Sequence, residues 1–284
     1  MIDERPIVSV VIPCFNDEDY IQETIQSVLC QTFQNFEIVI VDDGSNESTK
    51  QLLSTLINDR IKVITQNNKG PSSARNAGFA AAKGNYVLMI DADDTFEISF
   101  LQKAVKILNE NSVIGAVSSY CNMFIENHEV IYHHYPKGGN LKDFLFDNNS
   151  VSFALIRKEA WQDIDGYDEE MTNGFEDWEF WIRMTKKQWD IYVIPELLFN
   201  YRKKTRNSVD LKSKLYYRES NLSYIYKKHQ DLYRSHFSEV IDFWTDLAQR
   251  HKRNEIKYKK SLEYKIGMVI LFPVRMIKRI FKIK

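Results

Sequence analysis

The sequence predicts an α/β fold, a mostly parallel sheet with helices on both faces, followed by a helical C-terminal extension. Two observations carry this. Four short apolar runs alternate with segments of helical periodicity over about the first 110 residues, the pattern of consecutive strand–helix–strand units with right-handed crossovers. From Leu211 onward the chain carries Tyr, Lys and Leu in a helical pattern.

Ile7 to Ile12 is the first buried strand, ended by Pro13, and CFNDEDY is a polar turn. Ile21, Ile25, Val28 and Leu29 then fall on one helix face. Glu37 to Val41 is the second strand, Asp42-Asp43-Gly44-Ser45 a turn, and Leu52, Leu53, Leu56 and Ile57 mark the second helix. Ile61 to Ile64 is the third strand and Lys69-Gly70-Pro71 a turn. Ser72 to Lys83 is an Ala-rich helix ended by Gly84 as C-cap. Tyr86 to Ile90 is the fourth strand, and Leu101, Ala104, Val105 and Leu108 a fourth helix. Beyond it, Ile114 to Tyr120 and Val151 to Arg157 read as strands, with a hairpin near Asn127-His128 and a turn at Gly138-Gly139. An amphipathic helix starts after Gly174. Ile191 to Ile194 and Leu198 to Arg202 are two further short strands, leading into the basic loop KKTRNS.

Composition sets bounds. The 284 residues, 44% hydrophobic and 27% charged, suffice for one large domain plus an appendage. The net charge of −1 hides an uneven spread: Arg250 to Lys284 carries +10 and the remainder −11. A basic tail of that kind is expected to meet an anionic surface. The chain begins acidic, so its first apolar run reads as a strand and not as a signal peptide. Cys14, Cys30 and Cys121 have no metal-ligand spacing and are expected to be buried free thiols in a reducing cytosol. No GxGxxG follows the first strand, which removes a dinucleotide fingerprint, and no nucleic-acid partner is expected.

In parallel sheets ligands bind beyond the carboxyl ends of the strands. The informative polar groups all lie there: Pro13 to Asp17, Asp42-Asp43, Asn67-Asn68 and the stretch YVLMIDADDTF, where Asp91, Asp93 and Asp94 follow a strand. Like charges so close raise one another's pKa unless a cation separates them. A divalent ion with a phosphate on its far side would do so; an acidic turn capping the next helix would need none. Arg75 sits in the first turns of a helix, a poor place for a cation with respect to the dipole, so it is expected to reach toward the acids or a nucleotide. Glu176-Asp177 opens a helix, where acids suit the dipole, but Trp178, Phe180 and Trp181 follow. Apolar walls raise a carboxylate's pKa and make it a better base. His133 and His134, adjacent on a strand, point to opposite faces and do not share a metal.

VSVVIPCFNDEDYIQETIQSVLCQTFQNFEIVIVDDGSNEST, NKGPSSARNAG, GNYVLMIDADD and GFEDWEFWIRM, in this order, resemble the family 2 glycosyltransferases of GT-A fold, over roughly Ile7 to Ser208. The resemblance implies a nucleoside-diphosphate-sugar donor, with UDP favoured, a Mn²⁺ or Mg²⁺ ion, and inversion at the anomeric carbon. It implies Asp93 as metal ligand, with Asp91 toward the ribose or the metal-bound phosphate. Asp94 is a supporting or helix-capping residue. Asp42 would accept from the imino N–H of the base, with Asp43 capping the next helix. Pro13 and Phe15 would shape the base pocket, and Asn68 and Arg75 would contact the nucleotide. By the same resemblance Asp177 is the general base and Glu176 binds or orients the acceptor, roles that could be exchanged. Tyr201-Arg202 resembles the YR…S segment of relatives, whose cations would close over the diphosphate.

The expected domains are a transferase domain over 1–208, a helical extension over 209–260 and a basic tail over 261–284. Ile266 to Val274 is apolar but far short of the ~20 residues of a spanning helix. Pro273, Met276, Ile277, Ile280 and Phe281 form one face, Arg275, Lys278, Arg279 and Lys282 the other, with Pro273 in the first turn. Such a helix lies in a membrane interface on anionic lipid. The expectation is a transferase extending a lipid-linked surface glycan at the cytoplasmic membrane face. A non-catalytic nucleotide-sugar-binding subunit and a metal-dependent nucleotidyltransferase are the alternatives. The second would want a Gly-rich phosphate loop where CFNDEDY stands.

Overall fold

The computed structural model describes residues 5–125, 128–204 and 213–280. The chain divides into two compact units, 1–228 and 229–284.

The first unit is built on one sheet. Its elements are β1 (Val8–Cys14), α1 (Ile21–Leu29), β2 (Phe36–Asp42), α2 (Glu47–Leu56), β3 (Ile61–Thr65), α3 (Pro71–Ala81), β4 (Tyr86–Met89), β5 (Thr95–Phe96) and α4 (Phe100–Glu110). There follow β6 (Ile114–Phe124), β7 (Val130–His134), α5 (Leu141–Phe144), β8 (Ala154–Arg157), α6 (Lys158–Asp163), α7 (Glu176–Lys186), β9 (Asp190–Arg202) and, after a π-helical turn, α8 (Arg218–Lys228). The strand order is β3-β2-β1-β4-β8-β6-β9-β5, with β7 on β6. β3, β2, β1 and β4 run parallel, as their apolar runs predict. β8 is antiparallel to both neighbours, and β6 and β9 are parallel.

β1, β2 and β4 are buried along nearly their whole length, which explains why they read as continuous apolar runs and not as alternations. α1 and α4 bury the faces their periodicity marks: Ile21, Ile25 and Val28, and Leu101, Ala104, Val105 and Leu108. α3 packs flat on β1 because Gly78 has no side chain. A Cβ there would come within 2.2 Å of Val11.

Several expectations change. β1 continues through Pro13 to Cys14. Pro13 shares the orientation of Val11, whose carbonyl bonds toward β4. β4 pairs only as far as Val11, so the missing N–H breaks no ladder bond. Gly84 is not the cap of α3, which ends at Ala81 with Ala82 as its C-cap. It allows close approach instead: a Cβ would lie 2.6 Å from the backbone nitrogen of Ser9. The two short strands expected near 191–202 are one, β9. Its pairing slips between Ser119–Ile194 and Tyr120–Leu197, so the break at Pro195-Glu196 is a bulge and not an end. The strand expected from Val151 begins at Ala154, and that from Ile114 runs on to Phe124. The hairpin joins β6 to β7; Asn127 lies outside the described residues. β5, only two residues long, was not foreseen and pairs with β9 at Thr95–Asn200 and Phe96–Phe199. Cys14 and Cys121 are buried thiols, burial raising both to about 12, whereas Cys30 is exposed.

α8 belongs to the first unit, although it follows residue 208. Its Asn221 amide donates to the carbonyls of Asn173 (2.9 Å) and Gly174 (3.1 Å), and Ile225 is fully buried. The second unit holds α9 (Gln230–Ser235), α10 (Phe237–Lys260) and α11 (Leu262–Ile280). α10 buries no residue, and Pro273 lies inside α11 instead of in a first turn. Among the described residues no helix is long and apolar enough to cross a membrane.

Candidate functional site

The chain visits β1, β2 and β3 in turn, then returns to lay β4 on the other side of β1. The connections therefore leave in opposite directions from the carboxyl ends of β1 and β4. That reversal opens the crevice in which ligands of such sheets bind. The residues there are Phe15 to Asp17 after β1 and Asp91 to Asp94 after β4.

The acidic turn is held from three sides. The Asp94 N–H donates to the Asp91 carbonyl (3.2 Å), and the Thr24 hydroxyl of α1 donates to the Ala92 carbonyl (2.9 Å). β5 then pins the chain to β9, whose last residue, Arg202, donates its backbone N–H to Asp94 Oδ1 (2.8 Å) and its Nε to the Asp93 carbonyl (3.0 Å). The three carboxylates consequently diverge. Asp94 faces inward and is buried; desolvation, then Asp93 and Asp91, push its pKa up. It caps no helix. Asp91 accepts from Arg75 Nη2 at 3.0 Å. Asp93 meets the Lys204 ammonium at 2.9 Å, and the same ammonium holds Asp17 at 2.8 Å. Burial raises Asp93's pKa and Asp91 adds to it, with Lys204 opposing. Burial alone would lower Lys204, but Asp93 and Asp17 win and raise it.

Glu176 and Asp177 enter from the far side. The chain turns into α7 through Gly174 (φ +90) and Phe175 (φ 67), both left-handed. Arg75, buried in α3, spans the gap: Nη1 donates to Glu176 Oε1 at 2.7 Å while Nη2 holds Asp91. Its guanidinium also lies 5.4 Å from the Tyr167 ring centre. Desolvation opposes its charge, but Asp91 and Glu176 outweigh it and raise its pKa. Asp177 accepts from the Asn148 amide (2.8 Å) and from the N–H of Trp178 (2.7 Å). Desolvation, with the Glu176 charge second, raises Asp177 to about 6. The aromatics of α7 are core and not a sugar platform: Phe180 stacks on Tyr167 at 4.1 Å, and the Trp178 indole donates to the Phe144 carbonyl at 2.6 Å.

The other expected residues lie on the same edge with differing occupations. Asp42 is buried at the end of β2 and accepts from Ser45 N–H at 2.8 Å. Asp43 does not cap α2; Asn46 does, accepting from Thr49 N–H at 2.8 Å. Asp43 instead takes the N–H groups of Lys69 and Gly70, both at 2.9 Å. Asn68 is exposed and packs close on the Asp42–Gly44 turn, where a Cβ on Gly44 would lie 2.7 Å from its backbone nitrogen. Phe15 is 48% exposed beside Pro13. Arg202 is buried, pairs with Glu23 at 2.6 Å and lies over Tyr20 and Phe124. It braces the acidic turn; Lys204, two residues on, is the one that meets Asp93 and Asp17. Residues 205–208 of the basic loop lie outside the described residues.

Sequence reasoning missed Asp17 as a partner of Lys204, and it missed Asn148 and Tyr167. Asp17 was within the strand-end cluster. Asn148 and Tyr167 sit in segments without periodicity, and only the fold brings them to α7.

The family described as Glycosyl transferase family 2 matches residues 9–165. The putative teichuronic acid biosynthesis glycosyltransferase TuaG of Bacillus subtilis is 30% identical over 210 residues, 71% of this chain and 81% of TuaG. Glycosyltransferase GlyA of Streptococcus pneumoniae is 32% identical over 57% of this chain, which spans only 24% of GlyA. The crystal structure of S. aureus TarS residues 1–349 in complex with UDP-GlcNAc superposes with a TM-score of 0.60 at 25% identity, over 72% of this chain and 60% of that one. The same protein in complex with UDP gives a TM-score of 0.54.

Proposed function

Because the chain belongs to glycosyl transferase family 2, with the GT-A fold, we propose that it is an inverting enzyme moving a sugar from a nucleoside-diphosphate sugar to a glycan hydroxyl. The observation that carries this reading is the Arg75 clamp. It joins Asp91 of the donor side to Glu176 of the acceptor side, and so sets two acidic pairs, distant in sequence, across one crevice.

The residues fit a hard divalent cation. Asp91 and Asp93 offer only oxygen ligands, which suit Mg²⁺ or Mn²⁺. Among the described residues no group of three or more His, Cys, Asp or Glu could hold a metal ion, so two carboxylates are what the protein would offer it. When bound, the ion supplies charge to the leaving diphosphate. Asp93 and Asp91 would hold it. Asp42, Asn68, Pro13 and Phe15 line the base and ribose end, and a uracil imino N–H suits the Asp42 carboxylate. Arg75 and Lys204 supply the remaining positive charge. The acceptor oxygen bonds to the anomeric carbon as the bond to the diphosphate oxygen breaks. The diphosphate keeps that electron pair, and the acceptor proton passes to Asp177. Glu176, tied to Arg75, orients the acceptor.

TarS, solved with UDP-GlcNAc and UDP, supports a UDP-sugar donor, and TuaG, named for teichuronic acid biosynthesis, supports a polysaccharide acceptor. The acceptor is lipid-linked on this reading, and the basic tail holds the enzyme to the cytoplasmic face of the membrane. A panel of UDP-, GDP- and dTDP-sugars with Mn²⁺ or Mg²⁺, scored by nucleoside-diphosphate release, tests it. One UDP-sugar is expected to turn over, with EDTA abolishing release. Binding without turnover across the panel and a polysaccharide acceptor extract would refute catalysis.

A further inference from the structure

The segment after α5 brings a group to the site that no motif marks. Asn148 directs Nδ2 at Asp177 Oδ2, 2.8 Å away, while the N–H of Trp178 donates to Oδ1 at 2.7 Å. Both oxygens of the carboxylate are thus held, one from α7 itself and one from a segment 29 residues earlier.

Asn148 is in turn fixed. Its backbone N–H donates to Asp147 Oδ1 (3.0 Å), and its own Oδ1 accepts from Ser150 N–H (3.3 Å), which sets the amide so that nitrogen faces Asp177. The neighbouring Asn149 carbonyl accepts from Lys137 N–H (3.2 Å) and Gly138 N–H (2.8 Å), and its amide donates to the Asp143 carbonyl. The Trp178 indole holds the Phe144 carbonyl, so this segment and the start of α7 form one packed unit.

We propose that Asn148 is the positioning residue of the base: it fixes the rotation of the Asp177 carboxylate and leaves the remaining lone pairs to the acceptor hydroxyl. The proposal rests on the reading of Asp177 as base. A donor to the charged form of a carboxylate favours that form. Asn148 therefore acts with Arg75 of α3 and the Trp178 N–H against burial and the Glu176 charge, which raise Asp177 to about 6. Tyr167 faces the same cluster from the segment before α7. Asp143 of α5 turns its carboxylate back on Asn140 N–H at 2.9 Å and leaves Asp177 alone.

The test is the pH dependence of kcat and of KM for donor and acceptor in the wild type, Asn148→Ala and Asn148→Asp, with Asp177→Asn as reference. Asn148→Ala should move the acid limb up by about one pH unit, which adds a roughly fivefold loss at pH 6 over that at pH 8. Both KM values should stay within about twofold, the defect lying in kcat. Asn148→Asp keeps the shape but adds a like charge and no donor when ionised, so its limb should move further. A fall independent of pH, or a raised KM with the limb unmoved, overturns the proposal while Asp177→Asn remains inactive. Turnover retained in Asp177→Asn overturns both the base and its positioning.

Discussion

Arg75 shows how one residue converts two local features into a site. Two carboxylates from distant segments would repel each other in a partly dry crevice. A guanidinium offers a planar fork to both, which a lysine ammonium does not. Asp177, one residue from that pair, is held near neutrality by its burial and by Glu176. The sign for catalysis follows directly. A base works ionised, so rate is retained above its raised pKa and lost as pH falls through it. The expected profile of kcat/KM has an acid limb near pH 6; a limb near pH 4, where an ordinary aspartate titrates, would remove Asp177 as base. Asp91, Asp93, Arg75, Glu176 and Asp177 stand out in the sequence as acids stacked at a strand end, a cation at a helix start and acids followed by aromatics, and the fold brings these segments to one crevice. Arg202 and Asp43 were misread because their partners, Glu23 for one and the Lys69-Gly70 amides for the other, lie across the fold.

At the scale of elements the four parallel strands and their helices were legible, since burial on both faces leaves an apolar run that little else explains. The second half of the sheet was less so. β9 was split at Pro195 because a bulge and a strand end carry the same local signal, and only the partner strand β6 distinguishes them. β5 has two residues and no periodicity to read, yet it locks the acidic turn to β9. The junction of β1 with the start of β4 depends on Gly84. The Ser9 hydroxyl accepts its N–H at 2.8 Å, and a Cβ would meet the backbone of Val8 and Ser9. Backbone cannot yield as a flexible side chain does. Gly84→Ala is expected to cost about 2–3 kcal/mol by overpacking, measured by urea unfolding; a change under about 0.5 kcal/mol, the range of surface substitutions, would contradict the close approach.

Across the whole molecule charge is unevenly spread. The acidic body carries the site, whereas the tail from Arg250 carries +10 and α11 exposes Leu262, Ile266, Val269, Ile270 and Phe272. Apolar surface next to concentrated positive charge fits an anionic lipid interface. Deleting Leu262 to Lys284 is therefore expected to shift the protein from the membrane to the soluble fraction while activity on a soluble acceptor persists. An unchanged distribution would rule the tail out as anchor. The central claim is that the crevice divides its labour, Asp93 serving the donor and Asp177 the acceptor. Its most direct measurement pairs calorimetric binding of UDP in Mn²⁺ with sugar transfer, in Asp93→Asn and Asp177→Asn. Asp177→Asn should bind UDP within about twofold of the wild type yet lose at least about 10³ in transfer, within the range for losing a general base. Asp93→Asn should lose the Mn²⁺-dependent part of UDP binding along with transfer. Equal loss of UDP binding in both variants, or near-normal transfer by either, would contradict that division.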